Sequence, residues 1–183
     1  MHDRRRAFLV LWICALLAAA APARADGVRG SLKLSFTATS TLHDFEGTAG
    51  TIAVSLSQDA NGTWSAEVSV PVAEMKTGIG RRDASMRAMF DAAHHPLIRG
   101  RFRDLDGEKI RASGVLPFVL QIRTVERPVK AAVTHWQQTE REASFDAAFD
   151  VSLESFELEA PSTLFMSVGD SVRVTVHVTL ERV

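Results

Sequence analysis

Apolar and polar residues alternate with a period of two over most of this chain. Leu32, Leu34, Phe36 and Ala38 fall on one side, and Ser31, Lys33, Ser35, Thr37 and Thr39 on the other. Ile52, Val54 and Leu56 repeat the pattern. Beyond a turn signal at Asn61-Gly62, two residues that tolerate positive φ, Trp64, Ala66, Val68, Val70 and Val72 resume it. Such alternation predicts strands with one dry and one wet face, because successive side chains of an extended backbone point to opposite sides. Ile98 and Phe102 alternate with Arg99, Arg101 and Arg103; Asp106-Gly107 reads as a turn, and Ile110, Ala112, Gly114, Leu116 and Phe118 as the returning strand. Val129, Ala131 and Val133 follow, then Phe145, Ala147, Phe149, Val151 and Leu153. The clearest strand is Val172, Val174, Val176, Val178 and Leu180, interleaved with Arg173, Thr175, His177, Thr179 and Glu181. The pattern predicts eight strands, as in a barrel or a sandwich.

One segment departs from this period. Within residues 81–93, Met86, Met89 and Phe90 fall at i, i+3 and i+4, alanines favour helix, and Pro96 ends it. The expected fold is therefore all-β with one short helix laid on the sheet. A closed barrel removes the exposed edges of long alternating strands. Its interior either fills with side chains or holds one small ligand. The pattern alone leaves a sandwich open. No internal repeat, low-complexity tract or linker argues for a second domain.

Residues 1–25 read as a cleavable signal peptide, leaving residues 26–183 as one domain. Arg4, Arg5 and Arg6 form a positive start, residues 7–21 are apolar, and Ala23-Arg24-Ala25 has the small-x-small pattern of a cleavage site. The apolar run falls short of the ~20 residues that span a bilayer, so no stable membrane insertion is expected after cleavage. Arg5-Arg6-Ala7-Phe8-Leu9 resembles the twin-arginine export signature. The strongly apolar run favours the general secretory route instead, and either route leads to a periplasmic or secreted product. Cys14 lies in the leader, so the remaining domain has no cysteine and must rely on its own core. Beyond the leader, 17 Lys and Arg stand against 21 Asp and Glu, a net charge of −4. That balance argues against nucleic acid and against an anionic membrane face as partners.

The inward-facing set Phe36, Phe102, Leu116, Phe118, Phe149 and Phe156 either fills a core or lines a cavity. Small residues on the same face (Ala38, Ala112, Gly114, Ala131 and Ala147) leave room, and Met86 and Met89 suit an adaptable apolar wall. Asp83 stands in the first turn of the predicted helix, where its charge complements the helix dipole; with Thr77 and Arg82 it is also a candidate contact for a polar headgroup. His43 beside Asp44 and Glu46, and the adjacent pair His94-His95, lack the spacing of a metal-ligand set, so no metal is expected. The chain has no Gly-x-Ser-x-Gly elbow and no glycine-rich phosphate loop, and the domain has no cysteine nucleophile. No catalysis is expected.

Several stretches carry a resemblance. They are Ser40-Thr41-Leu42-His43-Asp44-Phe45-Glu46-Gly47; Met75-Lys76-Thr77-Gly78; Arg82-Asp83-Ala84-Ser85-Met86; and His95-Pro96-Leu97-Ile98 with Phe102. Arg127-Pro128-Val129, Phe156 ahead of Pro161-Ser162, and Gly169-Asp170 before the last valine strand continue the likeness. In this order and spacing they resemble the YceI-like family of exported bacterial proteins, over essentially the whole chain after the leader. Lys76, Thr124 and His95 depart from the family's usual acidic, glycine and aromatic residues there. The resemblance implies an antiparallel eight-stranded, lipocalin-like extended barrel whose interior holds an isoprenoid or quinone-like lipid. The expected function is a periplasmic carrier of such an apolar lipid, with no cofactor besides it. The expected cavity lining is Phe36, Ala38, Met86, Met89, Phe90, Ile98, Phe102, Leu116, Phe118, Val133, Phe149 and Phe156, with His43, Thr77, Arg82 and Asp83 as polar headgroup contacts. Two other readings stay open: an envelope interaction protein with a solid barrel, and a hydrolase or isomerase using the same cavity with His43 as base. Pairing into a homodimer is also left open.

Overall fold

Among the described residues, eleven strands and two α-helices follow one another. They are β1 (Val28–Ser40), β2 (Phe45–Ala49), β3 (Ala53–Gln58), β4 (Trp64–Pro71), β5 (Met75–Lys76), α1 (Gly80–Met89), β6 (Leu97–Leu105), α2 (Gly107–Ser113), β7 (Val115–Ile122), β8 (Val125–Gln138), β9 (Glu142–Ser152), β10 (Ser162–Thr163) and β11 (Met166–Arg182). The structure, a computed structural model, describes residues 28–41, 43–160, 162–163 and 166–182. The signal-peptide expectation for residues 1–25, and Leu42 and Pro161 of the resemblance motifs, lie outside the described residues.

All strand pairs are antiparallel. Ten strands form one path, β3-β4-β6-β7-β8-β9-β11-β1-β2-β5, with β10 pairing off it on β11. The first long strand and the last lie side by side: Leu32, Leu34, Phe36 and Ala38 stand opposite Val178, Val176, Val174 and Val172. Those valines in turn face Phe145, Ala147, Phe149 and Val151 across β9. The period-two positions of three strands thus make one continuous apolar wall.

The sheet curls into a half-barrel rather than the expected closed eight-stranded barrel. Among the described residues no ladder joins the path's end strands β3 and β5. β3 instead comes alongside β1 through side chains, and a Cβ at Gly30 would stand 3.1 Å from Val54 Cγ1. The eight predicted strands map onto the eight long ones. The three further strands, β2, β5 and β10, are five, two and two residues long, too short for β5 and β10 to show alternation at all.

The larger correction is α2. Ile110, Ala112 and Gly114 fall on the strand period, yet residues 107–113 are helical and β7 begins at Val115. Asp106 caps this helix, its Oδ1 accepting from the N–H groups of Glu108 (3.0 Å) and Lys109 (3.2 Å). Gly114 ends it at φ 63°, a left-handed conformation that glycine adopts without a Cβ clash. Local capping at both ends overrides a weak three-residue alternation. Ala112 is consequently exposed on the helix rather than inside the sheet.

The helix predicted within residues 81–93 is α1, with Met86 and Phe90 buried and Met89 packed against them. Its start is held from behind by Asp83, as described below.

Asp106→Ala should lower stability by about 1 kcal/mol, the usual worth of an N-cap side chain, while Asp106→Asn should lose far less. Urea denaturation midpoints of the two variants check this.

Candidate functional site

The inner face of the curled sheet does not close on itself. It surrounds a cavity of about 930 Å³, near the top of the range for small-molecule pockets. The cavity follows the β1–β11 ladder from the Val28–Arg182 rung to the Ala38–Val172 rung. At ~3.3 Å per residue, that stretch of β1 is roughly 33 Å long. The solid-barrel expectation fails here, because the interior is a cavity rather than a filled core.

Two kinds of wall residue create the space. Phe102 stacks on Phe118 (ring centroids 4.8 Å apart, 18° between planes), and Phe149 meets Phe118 edge-on at 5.1 Å. These rings lean on one another along the wall instead of crossing the interior. Small residues (Ala38, Ala66, Gly100, Ala131 and Ala147) hold the rest of the surface back. At Gly100 a Cβ would stand 3.1 Å from Phe102 Cε2, so the glycine lets that ring lie flat. Phe36 is seated likewise: a Cβ at Gly47 would fall 2.2 Å from its Cζ.

The wall is almost wholly apolar. Among the described residues its charged members are Arg81, Arg82 and Arg182, and no aspartate, glutamate, histidine or lysine lines it. Arg81, Arg82, Thr77 and Ser85 gather at the end where β5 leads into α1, together with Ile79, which is 50% exposed. This end carries most of the cavity's polar lining. The Arg82 guanidinium lies 4.2 Å from the centre of the Phe45 ring, a cation–π contact that holds it over the rim.

Of the expected lining residues, Phe36, Ala38, Met86, Met89, Phe90, Ile98, Phe102, Leu116, Phe118 and Phe149 stand on the wall. Val133 and Phe156 do not. Val133 sits where β8 meets the end of α2, its N–H donating to Gly114 O at 2.8 Å. Phe156 belongs to the one-turn 3₁₀ helix after β9 and is 2% exposed, packed in the core behind the wall.

The expected polar contacts also divide. Thr77 and Arg82 reach the cavity; Asp83 and His43 do not. Asp83, 8% exposed, is turned to Thr77, which donates both its hydroxyl (2.7 Å) and its N–H (2.8 Å) to Asp83 Oδ1. The Thr77 hydroxyl holds the Asp83 carboxyl below its ordinary range, against the opposing effect of burial, with the Thr77 N–H and then Arg87 and Arg82 adding to it. The Thr-Gly and Arg-Asp motifs therefore meet as a clip that fixes α1 to β5. His43 is exposed in the β1–β2 turn, its carbonyl accepting from Ser40 Oγ at 2.6 Å. His94 bonds Asp91 through Nδ1 at 2.8 Å. Among the described residues no three potential ligands gather as a metal site.

Sequence reasoning missed Leu105, Ile110 and Trp136 on the wall. Leu105 and Trp136 are out of phase with their strands, and Asp104 (φ 52°) and His135 (φ 53°) precede them. Aspartate and histidine are the residue types enriched at such positive φ, but that signal is too weak to place a bulge unaided. Ile110 reaches the wall from α2, where the alternation predicts a strand.

The family model of the YceI-like domain matches residues 25–180. The chain belongs to the YceI-like family. Among solved structures, this YceI-like chain is similar to Burkholderia cenocepacia BcnA, with 18% identity and TM-score 0.65, over 81% of this chain and 95% of that one. A polyisoprenoid binding domain from Saccharophagus degradans implicated in plant cell wall breakdown matches at 13% identity and TM-score 0.64, over 86% and 98%. The Campylobacter jejuni YceI protein matches at 14% and 0.52, over 73% and 82%. At these identities the likeness carries the fold. No curated protein matches the chain.

The Thr77–Asp83 clip has a definite pH signature. A carboxylate whose folded pKa is depressed stabilises the fold above its unfolded pKa of ~3.9, and that contribution is lost as pH falls through the lowered value. Thr77→Val should reduce stability at pH 7 by about 1–2 kcal/mol, the scale of one hydrogen bond to a charged group. The deficit should shrink once the pH falls below about 4, where Asp83 protonates in the unfolded chain of both proteins. Urea titrations at neutral and acid pH measure it.

Proposed function

We propose that this protein binds one long apolar lipid, an isoprenoid or quinone-like chain, inside the curled sheet and carries it without chemical change. In this reading residues 1–25 are a cleaved leader and the carrier works in the periplasm or outside the cell. The observation that carries the proposal is the cavity of about 930 Å³, apolar along the length of the β1–β11 ladder and charged mainly at its α1 end. Each methylene buried there contributes ~0.8 kcal/mol, so a long chain binds well without a charged anchor. The fold shared with a domain that binds polyisoprenoids supports the same class of ligand.

The polar residues give the ligand a direction. Arg81, Arg82, Thr77 and Ser85 stand at the α1 end and suit a headgroup, which makes that end the entrance in this reading and leaves the apolar chain for the interior. His43 and Asp83 take no part, the one exposed in a turn and the other committed to Thr77. Among the described residues, no histidine, cysteine or carboxylate lines the cavity.

Organic extraction of the purified domain, followed by mass spectrometry, should yield about one lipid per chain, as a pocket of this size takes one ligand. A protein that carries no lipid and takes up none overturns the proposal. Phe149→Arg should reduce retention at least about tenfold, because an unpaired buried charge costs several kcal/mol and about 1.4 kcal/mol is tenfold. Ala147→Phe, which fills the same region without charge, should do so in a protein that still folds.

A further inference from the structure

We infer that the end of the cavity beneath α2 is a stop that sets the length of the bound chain, and that Trp136 and Leu105 are the residues that set it. The inference rests on the carrier reading above.

Two β-bulges build this end. On β6, Phe102 lies opposite Ala66 and Leu105 opposite Trp64, so three steps on β6 match two on β4. On β8, Thr134 lies opposite Asp146 and Gln137 opposite Ser144, again three steps against two. The extra residues are Asp104 and His135, both left-handed. Each bulge reverses the phase of its strand. Without them, strict alternation from Phe102 and Ala131 would turn Leu105 and Trp136 outward; with them, both side chains line the cavity.

The arrangement is held from both sides. Inside, the Trp136 indole lies flat on Phe145 (4.9 Å, 9°). Gly107, at the start of α2, comes so close that a Cβ there would stand 3.8 Å from Trp136 Cη2. Ile110 of α2 and Trp64 complete the end. Outside, His135 Nδ1 lies 2.9 Å from Asp146 Oδ2, while His177 Nδ1 lies 2.7 Å from Asp146 Oδ1. This link ties the bulge on β8 to β9 and β11.

A left-handed non-glycine residue is held in a strained backbone conformation. Ordinary alternation would have produced an apolar wall without that strain. What the bulges add is bulk at one end only, two large side chains aimed into the tunnel under a helix. The headgroup-suited residues occupy the opposite end, so a chain entering at α1 reaches Trp64, Leu105, Ile110 and Trp136 with its tail. Arg182 is the one charged lining residue at this end, on the last rung of the β1–β11 wall.

The test offers the purified domain a mixture of free polyprenols of graded length, then extracts the washed protein and reads the retained lengths by mass spectrometry. The wild type should show a cutoff. Trp136→Ala should move the cutoff upward by about one isoprene unit, as expected if the space of the deleted ring is left open. Leu105→Ala should move it less, and Ile110→Trp should lower it. Leu105→Ala and Trp136→Phe also keep the test usable if Trp136→Ala does not fold. Retention by folded variants with the wild-type cutoff, or uniformly weaker retention of every length, overturns the stop while leaving the carrier intact. A wild type that retains no polyprenol of any length overturns both.

Discussion

The structure depends on an apolar sheet face that is buried without being filled. Protein interiors normally pack to a density of ~0.75, with few voids larger than a water molecule. Here the side chains of β1, β9 and β11 turn away from solvent yet enclose about 930 Å³. Water is a poor occupant of such a space, since a buried water needs polar partners. The backbone ladders hold the wall's strands in register around this space. A hydrocarbon chain in the cavity would restore the missing dispersion contacts. Binding and folding would then draw on the same contacts, and an occupied protein would be the more stable one.

The long strands were legible because burial on one face leaves a period of two in the sequence. In β11 the rule runs unbroken from Val172 to Leu180, and the register puts each of those valines against an apolar partner on β1. The short strands were not legible, since β2, β5 and β10 pair through position rather than pattern. α2 was misread for a different reason. Three apolar or small residues in alternation weigh less than an aspartate whose side chain accepts two N–H groups and a glycine free to turn left-handed.

The site was legible where the strands were regular, and hidden where they were not. Ten of the twelve expected apolar positions lie on the wall, all of them on β1, β6, β7, β9 or around α1. Leu105 and Trp136 escaped because a bulge changes which face a side chain takes without changing the composition around it. Charge was similarly obscured. A net of −4 over residues 26–183 gives no hint that, among the described residues, every charged side chain on the wall is an arginine.

The motif residues and the wall residues do separate work. Gly47 admits the Phe36 ring, and Thr77 with Asp83 fastens α1 to β5. These are local geometric demands that only certain residues meet, so they form short, specific motifs and identify the fold. The cavity asks only that inward positions be apolar and that some be small. Many sequences satisfy that, so the apolar wall leaves no short motif of its own. In this chain one end carries two arginines beside an exposed isoleucine, and the other carries two tryptophans beneath a helix.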